Sequence, residues 1–397
     1  MLPGVVGAGV AGIAAMVGGD DQQSPVIHGC HDLWQEVVKG LQSGAIGLHV
    51  PAVAPLHIKV DVYKRQAAAW AEKWDGYDNG RIRMEMSIHA EYTSYDKVWH
   101  ALAEYAINNH LGMQVHVSET KSEHDSCLEK YGLTPAQILD VYHVWDVRAL
   151  AAHCVHVTEE DMDLLARRGV TAVHCPNSNL KLASGIAPVR KMLDKGINVA
   201  LGTDGVSSSN NADLFEAVKL AALLSNGSTL DPTSLTAQEA LKLATVNGAK
   251  AQGRENECGM IAPGMDADLI MLDFTQPHLI PCHNPISNLV YAASGHDVCL
   301  TMVRGKILYE NGSYPTIDME AVLREFHDYV IPLMFGADGK EQRCVSETGP
   351  GPSPPGRRWH GKAGTDEGLP SQRILGYFST NHERLTIKSQ PPNEWWR

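Results

Sequence analysis

The chain has 397 residues, 44% of them hydrophobic and 20% charged, with a formal net charge of −13. That length suits one large enzyme domain with additions, or two domains, and the apolar fraction supports a sizeable core. The acidic balance excludes a general nucleic-acid or anionic-membrane binder, which would present a basic face.

Residues 1–65 are rich in Gly, Ala and Val and show no steady period, which sets them apart as an atypical N-terminal segment. Their apolar opening lacks a basic n-region and reads poorly as a signal peptide. GAGVAG at 7–12 formally fits the GxGxxG fingerprint, but too few residues precede it for a strand and no βαβ unit comes after it. DVYKRQ at 61–66 has the look of a translated adaptor scar, which would make residues 1–64 foreign to the rest of the chain.

From residue 66 short apolar runs alternate with amphipathic segments. GMQVHVSE (112–119) predicts a strand, its polar continuation SETKSE a loop, and TPAQILDVYHVW (134–145) a helix. RALAAHCVH (148–156) predicts a strand, followed by a helix over EEDMDLLARRG that Thr158 caps. TAVHCP (171–176) and NVALGTDG (198–205) are two more strands, each followed by a helix: APVRKMLDKG, closed by Gly196, and ADLFEAVKLAALL. Apolar strands alternating with helices indicate a parallel sheet with helical crossovers. Four such units match half of a (β/α)8 barrel; a doubly wound open sheet is the competing architecture. AQEALKLATVNGAKAQG (237–253) is helical. GMIAPGMDADLIMLDF (259–274) and CLTMVRGKILYENGSYPTID (299–318) then predict short strands with Gly turns, a small β unit appended to the barrel. The expected organisation is therefore an atypical segment over 1–65, an incomplete α/β barrel over 66–255, a helix and small β elements over 256–335, and a Pro/Gly-rich disordered tail over 337–397. No run of 18 apolar residues occurs, so no membrane span is expected. The eight cysteines are scattered without a CxxC pair, as free thiols of a reducing, cytoplasmic setting would be.

The chemistry gathers at strand ends. His116, His153, His174 and Asp204 each stand at or near the C-terminal end of a predicted strand, and in a parallel barrel those ends face one site. Each alone would pass as a satisfied core or rim residue. Their recurrence in successive units argues for a shared site. Residues i and i+3 of a strand face apart, so His116 and Glu119 share a site only if Glu119 lies past the strand, in the polar stretch. A neutral histidine there can bind a metal and a nearby glutamate can shuttle a proton. Asp204, on the Gly-flanked turn LGTDG, could bind metal and take a proton from water.

HVSE (116–119), AAHCVH (151–156), NSNLKLASGIAPV (177–189) and LGTDG followed by SNN (209–211) together resemble the amidohydrolase superfamily. The resemblance is strongest to the 5-methylthioadenosine/S-adenosylhomocysteine deaminase group, relatives of triazine chlorohydrolases and guanine deaminases. GMDADLIMLDF and MVRGKILYENGSYPTID are similar to the family's C-terminal β elements, and the likeness spans about 66–335. It implies a distorted barrel with one metal, zinc or iron, and a purine nucleoside as a small-molecule substrate, with no nucleic-acid or membrane partner and a homo-oligomer left open. Carried over by position, it makes His116 a metal ligand, Asp204 both ligand and base, and Glu119 the acid that protonates a purine ring nitrogen. His153 would hold the attacking hydroxide and His89 would touch the substrate. His174 matches a family position too, but a structural role is favoured there, with Asn179 and Lys181 organising their loop rather than reacting.

The sequence departs from the family at strand 1, where the HxH motif, whose two histidines share one strand face, is missing. His28 and His31 are spaced as HxxH and would face apart; His49 and His57 are isolated. Two ligands of four predict weak metal binding and weak or no deaminase activity for the chain as it stands. The alternatives are a related amidohydrolase acting on guanine or a chlorotriazine, a catalytically dead fragment, and a nucleotide-binding module resting on GAGVAG alone.

Overall fold

The structure, a computed structural model, describes residues 56–332. His28, His31, His49, GAGVAG and the tail from 337 lie outside the described residues, and His57 falls in the first helix. That helix, α1 (Leu56–Trp74), runs without a break through DVYKRQ. Lys64 pairs with Glu104 of α2 (Asp96–Asn109) at 3.5 Å, and Ala71 and Trp74 are buried.

Five parallel strands follow: β1 (Glu85–Ser87), β2 (Gly112–Val117), β3 (Ala149–His153), β4 (Thr171–His174) and β5 (Val199–Leu201). They pair in chain order, β1-β2-β3-β4-β5. A doubly wound sheet reverses its strand order at a switch point, and this one does not. The monotonic order is that of an arc of a (β/α)8 barrel, left open at β1 and β5 among the described residues. β1 adds a unit beyond the four predicted. Its three residues, EMS, are too few to give a periodic signal, and pairing with β2 (Met86 opposite Met113) defines it.

The helices pack on one face of the arc. In β2, Met113, Val115 and Val117 are buried in the main core, whereas Gln114 and His116 project to the other face, as the period of two requires. The core is filled by Trp99, Leu139, Trp145, Met162, Leu165, Met192 and Leu243, all at most 2% exposed. Each such side chain contributes about 1.5–3 kcal/mol by leaving water. Reciprocal capping boxes start the helices: Thr134 with Gln137 for α4 (Pro135–Val141), Thr158 with Asp161 for α5 (Glu159–Arg168). Short helices α6 (Pro176–Lys181) and α7 (Val189–Asp194) follow β4, and α8 (Leu214–Thr229), capped by Asp213, follows β5.

One expectation fails. SETKSE is not a loop: Thr120 caps α3 (Lys121–Tyr131), and Glu123 reaches back to complete the box. The polar composition comes from a solvated helix start, whose signature is the T-x-x-E spacing.

The helical stretch 237–253 breaks at Thr245 into α9 (Ala237–Ala244) and α10 (Val246–Ala251). Beyond it, β6 (Leu269–Leu272), β7 (Val298–Val303) and β8 (Lys306–Glu310) form a three-stranded antiparallel sheet, with α11 (Pro285–Tyr291) between the first two strands and α12 (Met319–Glu325) after the last. No described helix is long and apolar enough to cross a membrane.

Candidate active site

The C-terminal ends of β1, β2 and β3 bring His89, His116, Glu119 and His153 together. His116, on the side of β2 away from the core, lies with its ring centroid 4.7 Å from that of His89, two residues past β1, and 5.0 Å from that of His153 at the end of β3. The backbone joins the same places: His116 N–H donates to the His89 carbonyl at 3.0 Å. Glu119, just past β2, comes within 3.8 Å of His153 Nε2. Ser184, on the loop between α6 and α7, donates its hydroxyl to Glu119 at 3.4 Å.

Left-handed backbone makes this convergence. Register places His153 opposite Val117, on the core side of the sheet. A φ of +71° at His153 and +49° at Cys154 ends the strand there, and the ring meets His116 on the opposite side. Ser118 (+48°) and Asp204 (+60°) turn the chain in the same way after β2 and β5. Non-glycine residues so placed carry strain on the order of 1–3 kcal/mol each, and such strain collects at functional sites.

His153 is buried, and its Nδ1 lies 2.8 Å from Asn179 Oδ1. With the amide in that orientation His153 Nδ1–H donates to Asn179 Oδ1, and the other ring nitrogen, Nε2, faces Glu119. Asn179 is held in turn by its own loop, its carbonyl accepting from Ser184 N–H at 2.8 Å. Asp204 is half-buried, and its Oδ1 accepts from Gly205 N–H at 2.5 Å. Asp204 and Glu119 act on one common group: the charges of both, after burial, push the Cys175 thiol up. His89 is exposed at the rim, with Nδ1 3.0 Å from Thr93 Oγ1. Lys181 points outward and donates to the Ser207 carbonyl at 3.0 Å. His174 is fully buried, and burial followed by the charge of His153 pushes it down to about 4, so it is neutral.

Sequence reasoning did not find Ser184 or Glu123. Ser184 gives no local signal, since only the fold brings it to Glu119. Glu123 was legible as the fourth residue of the capping box. Among the described residues, no group of three or more His, Cys, Asp and Glu side chains is arranged to hold a metal ion.

An open parallel arc with imidazole and carboxylate side chains at its C-terminal mouth is the architecture of a (β/α)8-type barrel domain. The chain belongs to the amidohydrolase family, whose model matches residues 35–308. It is 43% identical over 282 residues to a 5-methylthioadenosine/S-adenosylhomocysteine deaminase of Moorella thermoacetica, covering 71% of this chain and 64% of that protein. It is 44% identical over 261 residues to a 5′-deoxyadenosine deaminase of Methanosarcina mazei, covering 66% and 60%. The chain thus spans under two thirds of the length of these relatives. Among solved structures it resembles a zinc-bound adenosine deaminase of Xanthomonas campestris, with a TM-score of 0.65, 33% identity, and coverage of 68% of this chain and 62% of that one. It also resembles a zinc-bound atrazine chlorohydrolase of Arthrobacter aurescens, with a TM-score of 0.64, 25% identity, and coverage of 68% and 60%.

Proposed function

We propose that the chain carries the deaminating half-site of a hydrolase acting on adenosine-type nucleosides, methylthioadenosine and S-adenosylhomocysteine among them. The names of its relatives support the substrate class. The approach of Glu119 to His153, within 3.8 Å, beside His116 and His89, carries the reading.

In this reading the purine lies across the mouth with His89 against it. Glu119 gives its proton to the ring nitrogen next to the amine-bearing carbon, which makes that carbon electrophilic. His153 accepts a hydrogen bond from the incoming water through Nε2, and Asp204 takes the water's proton. Asp204 hands that proton to the amine, the C–N bond breaks and ammonia leaves, and the added hydroxyl gives its remaining proton back to Glu119 as the ring carbonyl forms. The product is of the inosine type.

We assign His116 and Asp204 to the metal, zinc by analogy with the zinc-bound relatives, with iron as the alternative. These two do not complete a centre: catalytic zinc takes three protein ligands, and the described residues assemble no such group. The remaining donors would have to come from outside residues 56–332.

The test is ammonia release from methylthioadenosine, with zinc per chain measured alongside, for this chain and for a version carrying a family-type HxH strand. The expected result is substoichiometric zinc and weak release from the chain alone, both rising with the HxH strand and both release rates lost in Glu119→Gln. No ammonia from the zinc-loaded HxH version would sink the reading.

A further inference from the structure

The turn that carries Glu119 has to be held in place. Ser118 stands in it with φ +48°, and left-handed backbone costs free energy for any residue with a Cβ. Ser118 is also fully buried, so its polar groups need partners within the protein. Each has one. Its N–H donates to Glu123 Oε1 at 2.8 Å, and its carbonyl accepts from His156 N–H at 2.9 Å. Its hydroxyl shares a hydrogen bond of 3.1 Å with Nδ1 of buried His124. The next amide, Glu119 N–H, donates to Glu123 Oε2 at 2.8 Å.

Glu123 and His124 are successive residues in the first turn of α3, and both are buried. Helix capping does not account for these contacts. A capping box asks Glu123 to accept only from the N-cap Thr120 N–H, and that bond is the longest of its three, at 3.3 Å. The two shorter bonds reach past the cap to the residues that leave β2. His124 has no part in the box at all.

We propose that Glu123, with His124 beside it, is a positioning residue for the acid of the reaction. Its carboxyl grips the amides of Ser118 and Glu119, fixes the left-handed turn between them, and so aims the Glu119 side chain at His153. The bond from His156 N–H to the Ser118 carbonyl joins this turn to the one after β3, so neighbouring backbones set the 3.8 Å approach of Glu119 to His153. The grip stands on these contacts; its consequence for turnover rests on the deaminase reading. Neither Glu123 nor His124 is placed against the substrate.

The test compares Glu123→Gln with Thr120→Ala in the full chain without substrate. Gln has one accepting oxygen, so whichever way its amide turns, either Ser118 N–H or Glu119 N–H loses its acceptor. Thr120→Ala removes the hydroxyl that accepts from Glu123 N–H at 3.1 Å and leaves the carboxyl grip in place. Protection from amide exchange at one of residues 118 and 119, relative to the amides of β4, should fall about tenfold in Glu123→Gln, the worth of one ordinary hydrogen bond. It should stay near the parent's value in Thr120→Ala, although the denaturation midpoint falls in both variants. In the zinc-loaded HxH version with methylthioadenosine, Glu123→Gln should lower kcat about tenfold with KM little changed, and Thr120→Ala should keep the parent's kcat.

Three results would overturn the proposal: full protection at both amides in Glu123→Gln, equal loss of protection in the two variants, or lost protection with the parent's kcat. If Glu123→Gln does not fold, Ser118→Ala decides, since it spares the carboxyl and the cap and removes only the bond to His124. It should speed exchange at Glu119 N–H, and unchanged exchange there would count against the hold. No ammonia from the parent HxH version would sink the deaminase reading instead, and the exchange results would still decide the grip.

Discussion

The parallel arc and the small antiparallel sheet are both built from largely apolar strands, the small sheet's LIML and VCLTMV the more apolar, and put them to different uses. In β4 and β5 every residue is buried, and the chain must leave the sheet to expose anything. In β6 the pattern is half-exposed throughout, with Ile270 and Met271 43% and 56% accessible. A strand covered on both faces has only its ends to offer solvent, so chemistry at a buried sheet collects at strand ends. The antiparallel sheet has no such restriction, and no candidate site residue falls on it. Burial, more than apolar content, explains where the candidate side chains lie.

Exchanging single residues in the two regions tests this difference, and activity should move most. In the zinc-loaded HxH version, Glu119→Gln or His153→Asn should lower the rate of ammonia release by about 10²–10⁴, the usual worth of general acid–base groups. Met271→Ala should leave it unchanged. A Met271→Ala loss of comparable size would mean that the small sheet contributes to the site.

Stability should separate the regions next. Trp99 is fully buried, bonded through Nε1 to Ser94 Oγ at 2.6 Å and packed edge-on against Tyr131 and Tyr142. Trp99→Ala should cost about 3–5 kcal/mol in chemical denaturation, and exposed Met271→Ala no more than about 0.5 kcal/mol. Equal shifts would show that the two sheets unfold as one unit and share a core.

The same contrast explains what could be read in advance. The arc was legible because long apolar runs, broken at regular intervals by helices, admit few architectures, and because His116, His153 and Asp204 interrupt those runs where burial should forbid them. β1 was not legible: EMS is held by its partner, and no local pattern announces it. His153 carried a clear signal in sequence, but its direction depends on a left-handed residue that periodicity would place on the core side. Ser184 reaches Glu119 across 65 positions of chain, a contact only the tertiary fold can make. SETKSE was misread for a different reason. Polar residues suit a loop and a solvated helix start alike, and only the spacing of Thr120 and Glu123 tells them apart.

Titration should expose the buried end of the arc specifically. With metal removed by a chelator, His174 stays neutral in the folded chain down to about pH 4 but protonates near 6.5 once unfolded. The unfolded state binds the extra proton between these values, so stability is full above pH 6.5 and is lost as pH falls towards 4. The shift is worth on the order of 3 kcal/mol. Denaturation midpoints at pH 7 and pH 4.5 should differ by less in His174→Asn than in the parent. An unchanged difference would assign the acid sensitivity to other groups.

The smallest expected effect compares two glycines with positive φ. Gly312, in the turn after β8, has φ +87° and nothing within 4 Å of where a Cβ would sit. Gly312→Ala therefore meets only the left-handed penalty, about 1–2 kcal/mol. Gly185 follows Ser184 in the loop over the mouth, with φ +127° and Val155 Cγ1 2.9 Å from the same ideal position. Gly185→Ala adds a clash to the backbone strain, and relief would move either Val155, in the turn after β3, or the loop that carries Ser184. His156 Nε2 lies 2.8 Å from the Ser184 carbonyl, so the loop is tied to that same turn and cannot shift alone. The predicted signature is a stability loss for both variants, with slower ammonia release from the HxH version only for Gly185→Ala. If both variants were destabilised but turned over normally, Ser184 would not be needed to hold Glu119, and its 3.4 Å contact would be incidental.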